Sequence, residues 1–410
     1  MPSRTLQFPV FDVDNHMYET KDAFTRFLPD GYQGLIRYVE LDGKTKIVVN
    51  GRLSEYIPNP TFEVVAPPGA QEDYFRIKNV DSAYNKEARD GESRPRRRTM
   101  RSLPAFFAPE PRLELMDELG LDRSMMWPTL ASLLEERLST DLEATHAVIH
   151  ALNRWMFETW SFDFEGRIFA TPVITLPLVA QAIEELEWGL ERGARAILLR
   201  PAPVPGHNGV KRSFALPEFD PFWELVQDAG VLVGMHASDS GYQKFTNEWE
   251  GLPPDREMLP FESNAGRFAF AALREGPSPV VDTVASIIGH QLAFRFPQLK
   301  FAPVENGSSW VRPLLARMEK VYARMPHLFP EDPIDTFRRN IYVHPFHEED
   351  PVGLISLIGE DNVLFGSDYP HPEGLADPLS FVDQLEGLPE QTVAKVMGAN
   401  LSRLMKLDMS

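Results

Sequence analysis

The sequence predicts an α/β protein, a (β/α)8 TIM barrel with an irregular insertion after the first strand. Eight short apolar segments alternate with helical stretches along the chain. Segments of this length between helices describe parallel strands covered on both faces. Ionisable residues stand just past most of these segments, where a parallel barrel gathers its chemistry. The same pattern also allows an open doubly wound sheet.

The first segment, residues 8–13, is apolar and closes at Asp14 and His16. Residues two apart on a strand share a face. A carboxylate and an imidazole therefore project together, and both are ligands for a divalent cation. Residues 18–37 read as partly helical, with a break at Pro29. Residues 38–41 and 46–49 flank Asp42-Gly43, a hairpin signal. Residues 58–102 are rich in proline, asparagine and charge and include Arg94-Pro95-Arg96-Arg97-Arg98. That run reads as a solvated loop or a subunit contact. The stretch at about 39–109 lacks the apolar content for a core of its own. It is expected to be an arm on a single barrel spanning residues 1–410.

Periodicity then becomes regular. A helix over 112–119 is stopped by Gly120, a residue suited to the left-handed cap. A strand over 123–127 ends at Pro128, and a long amphipathic stretch covers 135–163. Strands at 168–174, 194–199, 231–235, 299–304, 340–343 and 363–365 follow. Between them lie helices at 176–192, 220–229, 280–296, 311–325 and 351–358, and helices at 378–385 and 390–405 close the chain.

Composition narrows the function. The chain is 43% hydrophobic and 25% charged, ordinary for a soluble enzyme. It has no cysteine, which excludes disulfides, thiolate ligands and a cysteine nucleophile. A net charge of −19 opposes nucleic-acid and anionic-membrane partners. No apolar run reaches membrane-span length, and the first residues lack the apolar core of a secretion signal. A cytoplasmic protein with a small-molecule substrate is expected, and the arm suggests a homo-oligomer, a dimer or higher.

The residues past the strand ends are Asp14 with His16, Pro128, Ile174 or a near neighbour, Arg200, His236, Glu305, His344 with His347, and Asp368. In a barrel these converge on one mouth. Asp14, His16, His236 and Asp368 would form a cation site of two carboxylates and two imidazoles. His146 and His150 stand four apart on the long helix, but with no third ligand in view they read as a packed or solvated face.

Asp14-x-His16, His236, the Phe296-Pro297 and Leu299 segment and Phe365-Gly366-Ser367-Asp368-Tyr369-Pro370-His371 together resemble the amidohydrolase superfamily. The likeness is to its amidohydrolase-related branch, which includes aminocarboxymuconate-semialdehyde and ortho-hydroxybenzoate decarboxylases. It covers the first strand and residues 112 onward, leaving the arm outside. The resemblance implies that Asp14, His16, His236 and Asp368 are metal ligands and that Asp368 also handles a proton. Arg200 stands where binuclear members keep a lysine, which implies one metal ion. Zinc is the first expectation, with manganese, magnesium or iron competing for so hard a ligand set. The family's usual histidine at the end of strand six is absent. Glu305 stands there and is the favoured replacement, with His290 the other choice. The expected reaction is attack of metal-activated water on a carbonyl, cleaving C–N, C–O or C–C, with Glu305 or His371 protonating the leaving group. Arg200 and His344 are candidates to bind a carboxylated, aromatic or cyclic substrate. Metal-dependent decarboxylation is the alternative, and a non-catalytic small-molecule-binding barrel a remote one.

Overall fold

The computed structural model describes residues 4–54, 56–57, 59–71, 99–257, 270 and 278–408. The basic run Arg94-Pro95-Arg96-Arg97-Arg98 lies outside the described residues. In chain order the strands are β1 (Phe11–Met17), β2 (Ile36–Leu41), β3 (Lys44–Val49), β4 (Arg52–Ser54), β5 (Val64–Val65), β6 (Met100–Arg101), β7 (Arg123–Pro128), β8 (Ile168–Ala170), β9 (Ala196–Leu198), β10 (Leu232–His236) and β11 (Lys300–Val304).

Parallel pairing joins β1 to β7 and β7 to β8, and β9 to β10 and β10 to β11. Isolated parallel bridges join Val173 to Leu198, Phe301 to Ile341, Val343 to Val363 and Asn15 to Tyr369. Followed in order, these contacts lead from β1 round the sheet and back to β1. The seventh and eighth segments are so short that they pair through single bridges rather than ladders. Their backbone bonds are nonetheless made: Tyr342 N–H donates to Phe301 O (2.9 Å) and Val13 N–H to Phe365 O (3.0 Å). Helices such as Leu142–Trp160 and Val311–Arg324 lie between consecutive strands and bury one face. The α/β class and alternating order expected from the sequence are present.

β1 differs from its expected bounds. It does not stop at Val13 but runs to Met17, and all seven of its residues are buried. Its register with β7 shifts between Asp12 and Asn15, the mark of a bulge, which re-aims side chains beside a site. A polar Asp-Asn-His run is extended and buried here because hydrogen bonds from other elements satisfy much of it. The long stretch over 135–163 is also divided, into Leu134–Leu138 and Leu142–Trp160. Asp141 caps the second helix by accepting from Ala144 N–H at 3.0 Å.

In the arm, β2, β3 and β4 form an antiparallel sheet. The expected hairpin is there. Asp42 and Gly43 have φ of 50° and 70°, the positive pair that a two-residue type I′ turn requires. Arg52 Nη2 donates to Asp255 O (2.7 Å) and Ser54 Oγ to Glu257 Oε1 (2.6 Å), so the arm reaches a loop after β10.

Gly234, in β10, is dictated by a neighbour. A Cβ there would lie 2.2 Å from the Trp127 ring. That ring is wholly buried, and its Nε1–H donates to Val13 O at 2.7 Å.

His146 is a packing residue, and the half-exposed His150 pairs through Nδ1 with Glu185 Oε2 at 2.6 Å. His146 is buried, and its Nε2 accepts Leu178 N–H at 3.2 Å. Burial pushes its pKa down from 6.5 to about 4. The unfolded chain therefore binds the proton that the fold refuses between those values, and stability falls as pH drops through that window. His146→Gln, which keeps an acceptor, is expected to flatten the loss by about 3 kcal/mol. Denaturant unfolding of both proteins across the window measures this.

Candidate active site

The side chains of Asp14, His16, His236, Glu305, His344, Asp368 and His371 converge at the C-terminal ends of the parallel strands. Asp14 is central and fully buried. Its Oδ1 lies 3.4 Å from both His16 Nε2 and His236 Nε2, and its Oδ2 lies 3.4 Å from His344 Nδ1. His16 Nε2 is 3.2 Å from His236 Nε2 and 3.3 Å from Asp368 Oδ1. His236 Nε2 is 3.2 Å from Glu305 Oε2. Asp368 Oδ1 is 2.8 Å from His371 Nδ1.

The outer ring nitrogens assign the tautomers. His236 Nδ1 faces Ala237 O at 2.9 Å, which only an N–H can satisfy. His16 Nδ1 faces Thr129 Oγ1 at 3.3 Å, and that hydroxyl already donates to Met17 O at 2.9 Å. The inner Nε2 atoms of both rings are therefore bare lone pairs. His344 follows the same logic. Glu305 N–H donates to its Nδ1 (3.3 Å), so its Nε2–H donates to Gly366 O (3.2 Å). Two bare nitrogens, and a third that accepts only Glu305 N–H, surround a carboxylate whose two oxygens are buried without a hydrogen-bond partner. Acceptors so arranged repel one another unless a cation lies among them. The residues present therefore fit a divalent metal ion. Asp14, His16 and His236 offer ligand atoms within 4.8 Å of one another, as do His16, Asp368 and His371. With oxygen and imidazole donors and no thiolate, the set suits manganese, iron or zinc.

Burial resists charge on the outer carboxyls and on His16. Burial, then repulsion from Asp14, raises Asp368 well above that range, and burial followed by repulsion from Asp368 does the same for Glu305. Burial, with the nearby His371, keeps His16 well below 6.5. So many carboxyls in one buried space cannot all ionise without positive charge among them.

The motif residues have physical reasons. A Cβ on Gly366 would lie 2.6 Å from Asp14 Cβ and 2.7 Å from His344 Nε2, so only glycine lets the two approach. Ser367 N–H and Oγ–H donate to the two oxygens of Asp12, at 2.9 and 2.5 Å. Asp368 and Glu305 hold φ of 55° and 54°, left-handed conformations that cost non-glycine residues energy and cluster at functional sites.

Sequence reasoning missed the scaffold. Arg112 is fully buried and donates to Asn15 Oδ1 (2.6 Å), His16 O (2.5 Å) and Ala105 O (2.7 Å). Asp12 also takes Asn15 Nδ2–H at 2.9 Å, and burial raises its pKa to about 7. Thr129 links His16 and His371, at 3.3 Å from each. Glu373 stands beside Glu305, Asp368 and His371. Only the adjacency of Asp12 and Asn15 to Asp14 offered a signal. Arg112 sits in an ordinary helical pattern.

Other expected residues lie elsewhere. His290 is exposed at the C-terminal end of the helix Ser278–Gly289, bonded to Ser286 Oγ at 2.9 Å. That helix runs against the strands, so the His290 end is opposite the cluster, and Glu305 holds the strand-six position alone. Arg200 is buried but turned aside. Its Nη1 donates to Glu136 Oε2 (2.8 Å) and Asp239 O (3.1 Å). Two acidic side chains, Glu135 and Glu136, take its charge, so it is not presented to a substrate. His347 pairs with Glu348 at 3.3 Å. A cavity of about 810 Å³ opens outward from Glu305, walled by Ala237, Ser238, Arg137, Tyr242 and Phe346.

Manganese added to chelator-treated protein at a hundred times its Kd is expected to raise unfolding free energy by about 2.7 kcal/mol. Asp14→Asn should abolish the gain. Thermal unfolding with and without the metal checks both.

The chain is similar to several known proteins. Residues 77–407 match the family model described as Amidohydrolase. An amidohydrolase from Mycobacterium avium subsp. paratuberculosis K-10 is 36% identical, with a TM-score of 0.87 over 98% of this chain and 100% of that one. A dihydroxybenzoic acid decarboxylase from Polaromonas sp. JS666, solved with bound manganese and 2-nitroresorcinol, is 15% identical. It has a TM-score of 0.58 over 98% of this chain and 97% of that chain, a likeness of fold. The 2-amino-3-carboxymuconate-6-semialdehyde decarboxylase of Dictyostelium discoideum is 27% identical over 210 residues, 50% of this chain. The match spans about half, 52%, of that curated relative's length. Among the described residues no helix is long and apolar enough to cross a membrane. With a family match over most of its length and a well-covered relative, the chain belongs to the amidohydrolase family, with a TIM-barrel α/β fold.

Proposed function

We propose that the protein is a metal-dependent, non-oxidative decarboxylase of a small carboxylated substrate with a conjugated or aromatic frame. The strand circuit is read as a closed barrel with the Asp14 cluster at its mouth. One divalent ion, manganese or zinc, is held by Asp14, His16, His236 and Asp368. The observation that carries the reading is the pairing of two functions in one buried space. The bare acceptors around Asp14 form a cation pole, and the Asp368–His371 pair at 2.8 Å forms a proton pole beside it. The relative that shares 27% identity is a decarboxylase by name, which favours this chemistry over hydrolysis.

When bound, the metal supplies Lewis-acid polarisation of the substrate's oxygens. The chain's residues do the rest. Asp368 holds a proton and gives it to the carbon that loses its carboxylate. The C–C bond breaks, its electron pair stays on that carbon and becomes the new C–H bond, and carbon dioxide leaves. A proton from solvent then restores Asp368 by way of His371 Nδ1, 2.8 Å from Oδ1. Thr129 holds the His371 ring through Nε2, at 3.3 Å. Buried walls exclude bulk water from the carbanion-like carbon.

Glu305 favours a second reading, hydrolysis next to a carbonyl. Its carboxyl stands at the end of β11, 3.2 Å from His236 Nε2, where it can take a proton from water.

Turnover of hydroxybenzoates and conjugated carboxylates by the manganese-loaded protein in deuterated water separates the two. Decarboxylation releases carbon dioxide and leaves one deuterium on the product carbon. Asp368→Asn is expected to slow this by about 10²–10⁴-fold. A product that keeps its carboxylate and gains oxygen from labelled water would overturn the proposal in favour of hydrolysis.

A further inference from the structure

The turn after β7 carries a hydroxyl that is diverted from its ordinary task. Thr129 follows Pro128, which pairs with Met17 at the end of β1. It stands at the N-cap position of the short helical turn Leu130–Leu133. A threonine there ordinarily turns its hydroxyl back onto the first free N–H groups of the turn. Thr129 makes no such bond. Its Oγ1–H donates to Met17 O at 2.9 Å, and the same oxygen lies 3.3 Å from His16 Nδ1 and 3.3 Å from His371 Nε2.

The free N–H groups go instead to Glu19, two residues past β1. Glu19 Oε1 accepts from Leu130 N–H at 2.7 Å and from Ala131 N–H at 3.1 Å. The Glu19 side chain is wholly buried, and burying a carboxyl is costly unless it is well bonded. A threonine cap would satisfy the turn without that cost. What the exchange releases is the Thr129 hydroxyl.

A hydroxyl has one proton and two lone pairs. Here the proton goes to Met17 O, so both rings meet Thr129 with an N–H. His16 keeps its proton on Nδ1 and turns a bare Nε2 to the Asp14 cluster. His371 keeps its proton on Nε2 and turns a bare Nδ1 to Asp368 Oδ1, 2.8 Å away. The two rings also lie against one another, centroids 3.9 Å apart. One oxygen thus sets the tautomer on the cation side and on the proton side of the site.

We propose that Thr129 and Glu19 are positioning residues of the metal centre. Glu19 caps the turn in place of Thr129, and the hydroxyl so released fixes the tautomers of His16 and His371 together. This rests on the reading of the Asp14 cluster as a metal centre. Both residues act through the histidines rather than on the ion.

The test is calorimetric titration of the chelator-treated full chain with manganese. Thr129→Val keeps the shape and removes the hydroxyl, and it is expected to weaken manganese binding about 10–100-fold. Thr129→Ser, which keeps the hydroxyl, should restore wild-type affinity. Glu19→Ala should weaken binding, whereas Glu19→Gln, which keeps an acceptor for the two N–H groups, should not. Glu19→Ala combined with Thr129→Val should lose no more than Thr129→Val alone, because both act through one hydroxyl. A role confined to folding would lower stability without this pattern in affinity. Nitrogen NMR of the imidazole rings in the metal-free protein reads the tautomers directly: His371 should hold its proton on Nε2 in the wild type and lose that preference in Thr129→Val. The two Thr129 variants decide the matter even where Glu19→Ala does not fold. Wild-type affinity in Thr129→Val, or a loss that Thr129→Ser does not restore, would overturn the proposal and leave the metal centre standing. So would additive losses in the double variant. No manganese binding by the wild type would overturn the metal-centre reading, and the proposal with it.

Discussion

A buried carboxylate without a proton donor governs this structure. Asp14 stands where the parallel strand ends converge, both oxygens unpartnered, facing imidazole nitrogens whose protons are committed outward. In water each of these groups would be solvated. Buried together they repel, and a carboxylate desolvated without compensation is among the most costly groups a fold can contain. The arrangement is stable only with positive charge among the acceptors. The shape of the site, its ligand class and the raised pKa values of Asp368 and Glu305 all descend from that constraint.

A repulsive cluster needs a rigid frame. Asp12 holds β1 to Ser367, so the Asp14 and Asp368 segments cannot drift apart. Arg112 grips Asn15 and the His16 carbonyl from behind. Trp127 fills the space under His236, ring centroids 5.3 Å apart, and makes Gly234 obligatory. These contacts are stabilising ones, and they offset a centre that is not.

Much of the fold was legible in the sequence because hydrophobic period and helix stops are local signals. Gly120 and Gly230 end their helices with φ of 75° and 63°, as the pattern of apolar residues followed by glycine implies. The hairpin at Asp42-Gly43 was legible for the same reason. The extent of β1 was not, because the polarity of Asp12, Asn15 and His16 hides a strand whose satisfaction comes from residues 97 and 355 positions away. At the site, Asp14, His16, His236, Asp368 and Glu305 could be picked out because strand ends are predictable. The role of Arg200 could not. Whether an arginine at a strand end meets an acid or a substrate depends on Glu135 and Glu136, which belong to a different βα unit.

The most direct measurement is anomalous diffraction from crystals of the manganese-loaded protein, with data collected on both sides of the metal's absorption edge. A single peak per chain is expected, touching Asp14, His16, His236 and Asp368. Two peaks, a peak elsewhere, or none would contradict the view that the fold is organised around one cation at Asp14.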